Sequence, residues 1–176
     1  MTKMLTNKTN LAIIDSFNNT EYGDKLIAIC PILKRATINV VNYQESKYLK
    51  ASGFNNNDAW VCYIPERESI DSPIYAEILT NKDMIQQLNL SENEQFAAIA
   101  HEIGHIITYF RTDYKQLDDE KKEMTSDNYA CRIGLTESLS SLLNKLIVSG
   151  DYSADQTQLM QKRLDMITFY NCQLCS

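Results

Sequence analysis

Long apolar runs, an excess of basic residues and a paired set of cysteines are all missing from this 176-residue chain. Near the N-terminus only Leu11-Ala12-Ile13-Ile14 precede Asp15, too short a run for a secretory core or a membrane span. Location in the cytoplasm is therefore the default expectation. The net charge of −6 disfavours phosphate backbones and anionic lipid as partners, because both are repelled by it. Neither a nucleic-acid ligand nor a membrane span is expected. Five cysteines, an odd number at irregular spacing, do not make a disulfide framework, so reduced thiols are expected. Cys172 and Cys175 form one C-x-x-C near the C-terminus, but a lone pair without a second is a weak zinc signal. No repeat, low-complexity tract or linker divides the chain. Histidine is scarce: there are two, His101 and His105.

What is present fits a folded protein. Hydrophobic residues make up 44% and charged residues 23%, with ten tyrosines, enough apolar surface to offset the ordering entropy. The length suits one domain, with a sheet-bearing part over 1–90 and a helical part over 91–176. Leu26 to Ile32 and Thr37 to Tyr43 read as strands, although the first equally extends an N-terminal helix. Gly53 to Asp58 reads as an Asn-rich turn and Ala59 to Ile64 as a strand. Ile74-Tyr75-Ala76-Glu77-Ile78-Leu79, after Pro73, reads as an edge strand or short extended segment. From Asn81 the pattern is helical. The fold class expected is α+β, with a small mixed or antiparallel sheet.

Ser91-Glu92-Asn93-Glu94 is a capping box that opens a helix. Phe96, Ile99, Ala100, Ile103, Ile106, Ile107 and Phe110 recur at three- and four-residue steps and form its apolar stripe. Further helices are expected over Asp118 to Leu135, Glu137 to Val148 and Ala154 to Tyr170. Leu139, Leu142, Leu143 and Leu146, then Met160, Leu164 and Ile167, supply the buried faces of the last two.

His101-Glu102-Ile103-Gly104-His105 is H-E-x-x-H. On a helix, this spacing puts two imidazoles about 40° apart on one face, where a single zinc ion can meet both. Glu102 lies close enough to reach a water at the metal without being a ligand. Such a carboxylate takes the proton of the attacking water and then protonates the leaving amine. On the helical wheel the two histidines, with Glu94 and Ala98, lie nearly opposite the apolar stripe, which argues against a packing role. With no third histidine, the remaining ligand is a carboxylate or a cysteine. Glu123 is the first candidate, with Asp127 one turn later to orient a histidine. Asp118, Glu120 and Cys131 are the alternatives. Ala130 and Gly134, on the Glu123 face, are small enough to let that helix come close.

Three stretches resemble the gluzincin metallopeptidases of the HtpX and CAAX prenyl protease type and their soluble relatives, the minigluzincins. Glu92 to His105 looks like the active-site helix. Glu123-Met124-Thr125-Ser126-Asp127 looks like the E-x-x-x-D segment, with Ser126 where the family usually has Ala. Asn57-Asp58-Ala59-Trp60 and Ile74 to Leu79 resemble the turn and edge strand that precede the helix. The resemblance implies a zincin-like fold and a Zn2+ ion on His101, His105 and Glu123, with Asp127 supporting the site. It also implies a peptide or protein substrate added along the strand. Family members often steady the oxyanion with a downstream His or Tyr; Tyr152, Tyr170 and Arg132 are the candidates for that role here. The family's transmembrane helices have no counterpart in this chain. ImmA-type peptidases also carry H-E-x-x-H followed by a Glu, but their segment usually ends in Asn where this chain has Asp127. Two other readings compete: a zinc-stabilised partner-binding module, and a latent enzyme whose N-terminus or Cys172/Cys175 tail blocks the metal.

Overall fold

The computed structural model of the chain describes residues 4–7, 12–54, 58–65, 74–111 and 113–174, with the side chains of 7 and 170–174 outside that description. The chain splits into two compact units, Met1–Ile85 and Gln86–Ser176, close to the division expected at 90/91. Asn57, Cys175 and the side chains of Tyr170 and Cys172 fall outside the described parts. Among the described residues, Cys30, Cys62 and Cys131 form no disulfide. Among the described residues no helix is long and apolar enough to cross a membrane.

The first unit holds a mixed sheet of four strands: β1 (Leu5–Asn7), β2 (Ala36–Asn42), β3 (Trp60–Tyr63) and β4 (Ile74–Thr80), in the order β1-β2-β4-β3. β1 and β2 are parallel and so need a crossover, which α1 (Ala12–Asn18) and α2 (Tyr22–Ile29) provide. Leu26 to Ile29, one of the ambiguous stretches, is helical. Pro31, at the start of a short 3-10 turn, and the extended Cys30 end that helix. Ile14, Phe17 and Leu26 from the helices, with Leu5, Ile38, Val40, Ala76 and Ile78 from the sheet, are buried.

The edge-strand expectation for Ile74–Leu79 is not met. β4 lies inside the sheet, parallel to β2 along its whole length and antiparallel to β3 over Glu77–Thr80. A strand bonded on both sides has no free ladder to offer a substrate over that stretch. Its burial is nearly continuous rather than alternating, the signature of an interior strand. Tyr75 and Glu77 gave the sequence its alternating look, and Glu77 is buried too.

The second unit is helical: the end of α3 (Lys82–Gln87), then α4 (Glu92–Tyr109), α5 (Asp119–Arg132), α6 (Thr136–Ser149) and α7 (Ala154–Leu174). The capping box of α4 forms as expected, Ser91 Oγ accepting from the Glu94 amide and Glu94 Oε2 accepting from the Ser91 amide at 2.6 Å. Glu94 is buried and does more than cap. Ser141 Oγ donates to it at 2.6 Å and Lys145 Nζ at 2.7 Å, which ties α6 to the start of α4. Burial alone would raise the Glu94 carboxyl, but Lys145, Ser141 and the Ser91 amide outweigh it and hold it down to about 2.

Candidate metal centre

α4 is not amphipathic in its setting. Glu94, the whole run Phe96–Gly104 and Ile106–Thr108 are buried, so the polar face is covered as well as the apolar stripe except at the half-buried His105. His101 and Glu102 are each only 7% exposed. What makes that burial tolerable is the set of polar partners brought in by α5 and α7.

α5 can reach this face because residue 104 is glycine. A Cβ there would sit 2.7 Å from both the Cα and the carbonyl oxygen of Ser126, closer than side-chain carbons come to backbone. Ser126 is fully buried at this crossing. Gly134, expected to contribute to the close approach, has a different task. It stands at φ +98 just past α5, where its amide bonds to the Cys131 carbonyl and the Leu135 amide to the Ala130 carbonyl. That is a Schellman stop, which favours glycine for its left-handed backbone. Ala130 is buried, in keeping with the expected small-residue face.

The close crossing places the Glu123 carboxylate across both imidazoles. Its Oε2 lies 3.3 Å from His101 Nε2 and its Oε1 lies 3.2 Å from His105 Nε2. The two Nε2 atoms are 3.0 Å apart, with the rings at 90°. His101, His105 and Glu123 thus form a group that could hold a metal ion, the one such group among the described residues. Its open side is at His105 and Glu123, whose side chains are 25% and 26% exposed, against 9% for His101.

Asp127 lies one turn beyond Glu123, and its Oδ1 accepts a hydrogen bond from His101 Nδ1 at 2.7 Å. This bond fixes the ring and turns Nε2 toward the group. Asp127 in turn receives two parallel bonds from Arg163 on α7, Nε to Oδ2 and Nη2 to Oδ1, both at 2.7 Å. The guanidinium also reaches Glu123, Nη1 to Oε2 at 2.9 Å, and acts electrostatically on Glu102. Arg163 therefore offsets three acids, the buried Asp127 and Glu102 and the half-buried Glu123.

Sequence reasoning missed Arg163. Its signal was there: along α7 Met160 and Ile167 are buried and Leu164 half-buried, and an arginine at 163 sits inside that stripe at helical spacing. A charge there requires a buried partner.

Burial and Arg163 both push the His101 imidazolium toward losing its proton, yet Asp127 and Glu123 outweigh them and raise it to about 10. Burial would raise Glu123 and Asp127, but their cationic partners bring Glu123 well below the usual carboxylate range and Asp127 down to about 2. The two acids thus favour the protonated form of His101 in the metal-free site.

The alternative ligands stand elsewhere. Asp118 caps α5 by accepting from the Lys121 amide at 2.8 Å, and Glu120 pairs with Lys162 at 2.7 Å. Burial pushes the Cys131 thiol up to about 11, against the thiolate form a ligand needs. Arg132 is exposed nine residues past Glu123, which on a helix is the opposite side and about 13 Å along. Tyr152 lies half-buried before α7, about 14 Å of helix from Arg163. The chain matches no family model, no curated protein and no solved structure.

Proposed function

We propose that the chain is a zinc-dependent metallopeptidase of the gluzincin type, with the ion on His101, His105 and Glu123. The observation that carries this reading is the spacing of the three donors. Zinc bonds of about 2.0–2.1 Å in tetrahedral array put neighbouring ligand atoms about 3.3–3.4 Å apart. The two Nε2 atoms are 3.0 Å apart here, and the Glu123 carboxylate faces each with a different oxygen, Oε2 3.3 Å from His101 and Oε1 3.2 Å from His105, while one ligand atom from each residue falls within 4.8 Å of the others. Two imidazoles and a carboxylate also match the donor set of hydrolytic zinc sites, which keep a fourth position open.

When bound, zinc would supply a Lewis acid that acidifies water and polarises the scissile carbonyl. The chain's own residues do the rest. Glu102, buried beside the two ligands in sequence, takes the proton from the attacking water and delivers it to the leaving amine nitrogen as the C–N bond breaks. Asp127 keeps His101 in the tautomer that offers Nε2. Arg163 holds Asp127 and Glu123 in place and balances their charge.

A partner-binding module with a structural metal has no need of Glu102, nor of a donor set that leaves one coordination position free. The test is hydrolysis of a mixed peptide library by the full chain, with and without a chelator. Cleavage that stops on chelation and returns with zinc supports the proposal; cleavage indifferent to chelation refutes it.

A further inference from the structure

A further buried acid, Glu77, lies in the sheet-bearing unit, where the mechanism above does not use it. It is 4% exposed, in the middle of β4. In register, Asn39 of β2 and Tyr63 of β3 stand directly opposite it, so their side chains share its face of the sheet. Tyr75, two residues earlier, is on the same face and donates its hydroxyl to Glu77 Oε1. The segment after β2 covers this face, and Ser46 Oγ donates to Oε2 at 2.7 Å.

All of these partners are neutral. Among the described residues no lysine, arginine or histidine pairs with Glu77. Hydroxyl donors compensate a buried carboxylate only in part, and a cation would complete the set. The surroundings suit an organic cation. The Tyr48 ring stands 4.9 Å from the Tyr63 ring and 6.3 Å from the Tyr75 ring, the latter pair tilted by 56° into a wedge rather than a stack. All three rings are half-buried and so reachable from solvent. Tyr48 already carries an ammonium on its ring, Lys47 Nζ at 4.8 Å from the centroid. A hydrated metal ion gains little from such rings, whereas an alkylammonium gains from the ring faces and from the carboxylate together.

We infer that Glu77 with Tyr48, Tyr63 and Tyr75 forms a recognition site for a primary ammonium group on an alkyl chain, the chemistry of a lysine side chain or a simple amine. This site stands independently of the proposed metallopeptidase activity.

The experiment is a titration of the full chain with n-butylammonium chloride, followed through the tyrosine ring resonances, with n-butanol as the neutral control. Saturable shifts of Tyr48, Tyr63 and Tyr75, roughly tenfold tighter than for butanol, are expected. Glu77→Gln, which keeps the shape and an acceptor oxygen, should weaken the amine roughly tenfold without changing butanol binding. Tyr48→Leu, a half-buried position less exposed to folding failure, should weaken it several-fold. A peptide with an internal lysine is the second arm. Tighter binding than butylammonium assigns the site to peptide lysine, and equal binding assigns it to free amines. Absence of saturable shifts, or unchanged amine affinity in both variants, overturns the inference.

Discussion

Gly104 and Ser126 touch backbone to backbone: a methyl group on Gly104 would lie 2.7 Å from the Ser126 Cα and carbonyl oxygen. This contact sets how far Glu123, three residues before Ser126, reaches toward the two imidazoles. Gly104→Ala must push α5 away from α4. Overpacking of this kind costs about 1–3 kcal/mol. A drop in melting temperature is expected, together with at least about tenfold weaker zinc binding in a chelator competition, since misplaced ligands forfeit affinity. Unchanged zinc affinity in a folded Gly104→Ala variant would count against the ligand role of Glu123.

Glu123→Ala removes the only carboxylate among the group's three donors. Metal content measured on the purified variant should fall to background. Asp118→Asn and Glu120→Gln should keep it, because those acids are engaged with the Lys121 amide and with Lys162.

Arg163→Met leaves the buried Asp127 and the half-buried Glu123 without their shared guanidinium. Removing one partner of a buried charge network costs about 3–5 kcal/mol. Denaturant unfolding of the metal-free protein should register a loss of that order. Arg163→Lys, which keeps the charge but not the paired bonds to Asp127, should recover only part of it. A loss below about 1 kcal/mol for Arg163→Met would show that α7 does not carry this charge balance.

Protonation of His101 makes the metal-free site depend on pH. Its folded value, raised to about 10 from 6.5, means the stabilisation is complete below pH 6.5 and is lost as pH rises to about 10. Asp127 works in the other direction: its value, lowered from 3.8 to about 2, gives stability that is present above 3.8 and lost as pH falls toward 2. Thermal melts of chelator-treated protein should therefore show lower stability at pH 9.5 than at pH 6.5. Metal must displace the His101 proton, so zinc affinity should climb with pH over the same range. A flat affinity profile would contradict the proposed exchange.

Much of the helical unit was legible because its signals are local. The capping box, the four-residue step between His101 and His105, and the four-residue step between Glu123 and Asp127 each act within one helix. Of the helix-to-helix relations, the meeting of Glu123 and Asp127 with the histidines was expected, but the burial of that face and the arrival of α7 were not. Wheel position marked the histidine face as polar, but only packing turns a polar face into a buried one, and Arg163 lies 58 residues from His105 in sequence. Gly134 and Gly104 show the same limit: both are small, yet one stops a helix through its φ of +98 and the other lets two helices meet. In the sheet, an alternating strand that belongs inside reads like an edge strand when its polar positions, Tyr75 and Glu77, bond to each other. Periodicity reports which residues share a face, not what covers that face.

The most direct test of the central claim is a paired measurement on Glu102→Gln: zinc content and peptide hydrolysis in the same preparation. Glu102 is not among the three ligands, and Gln cannot take a proton from water. The variant should hold zinc as the parent does and lose hydrolysis by at least about a hundredfold. Zinc retained with hydrolysis undiminished would contradict the account.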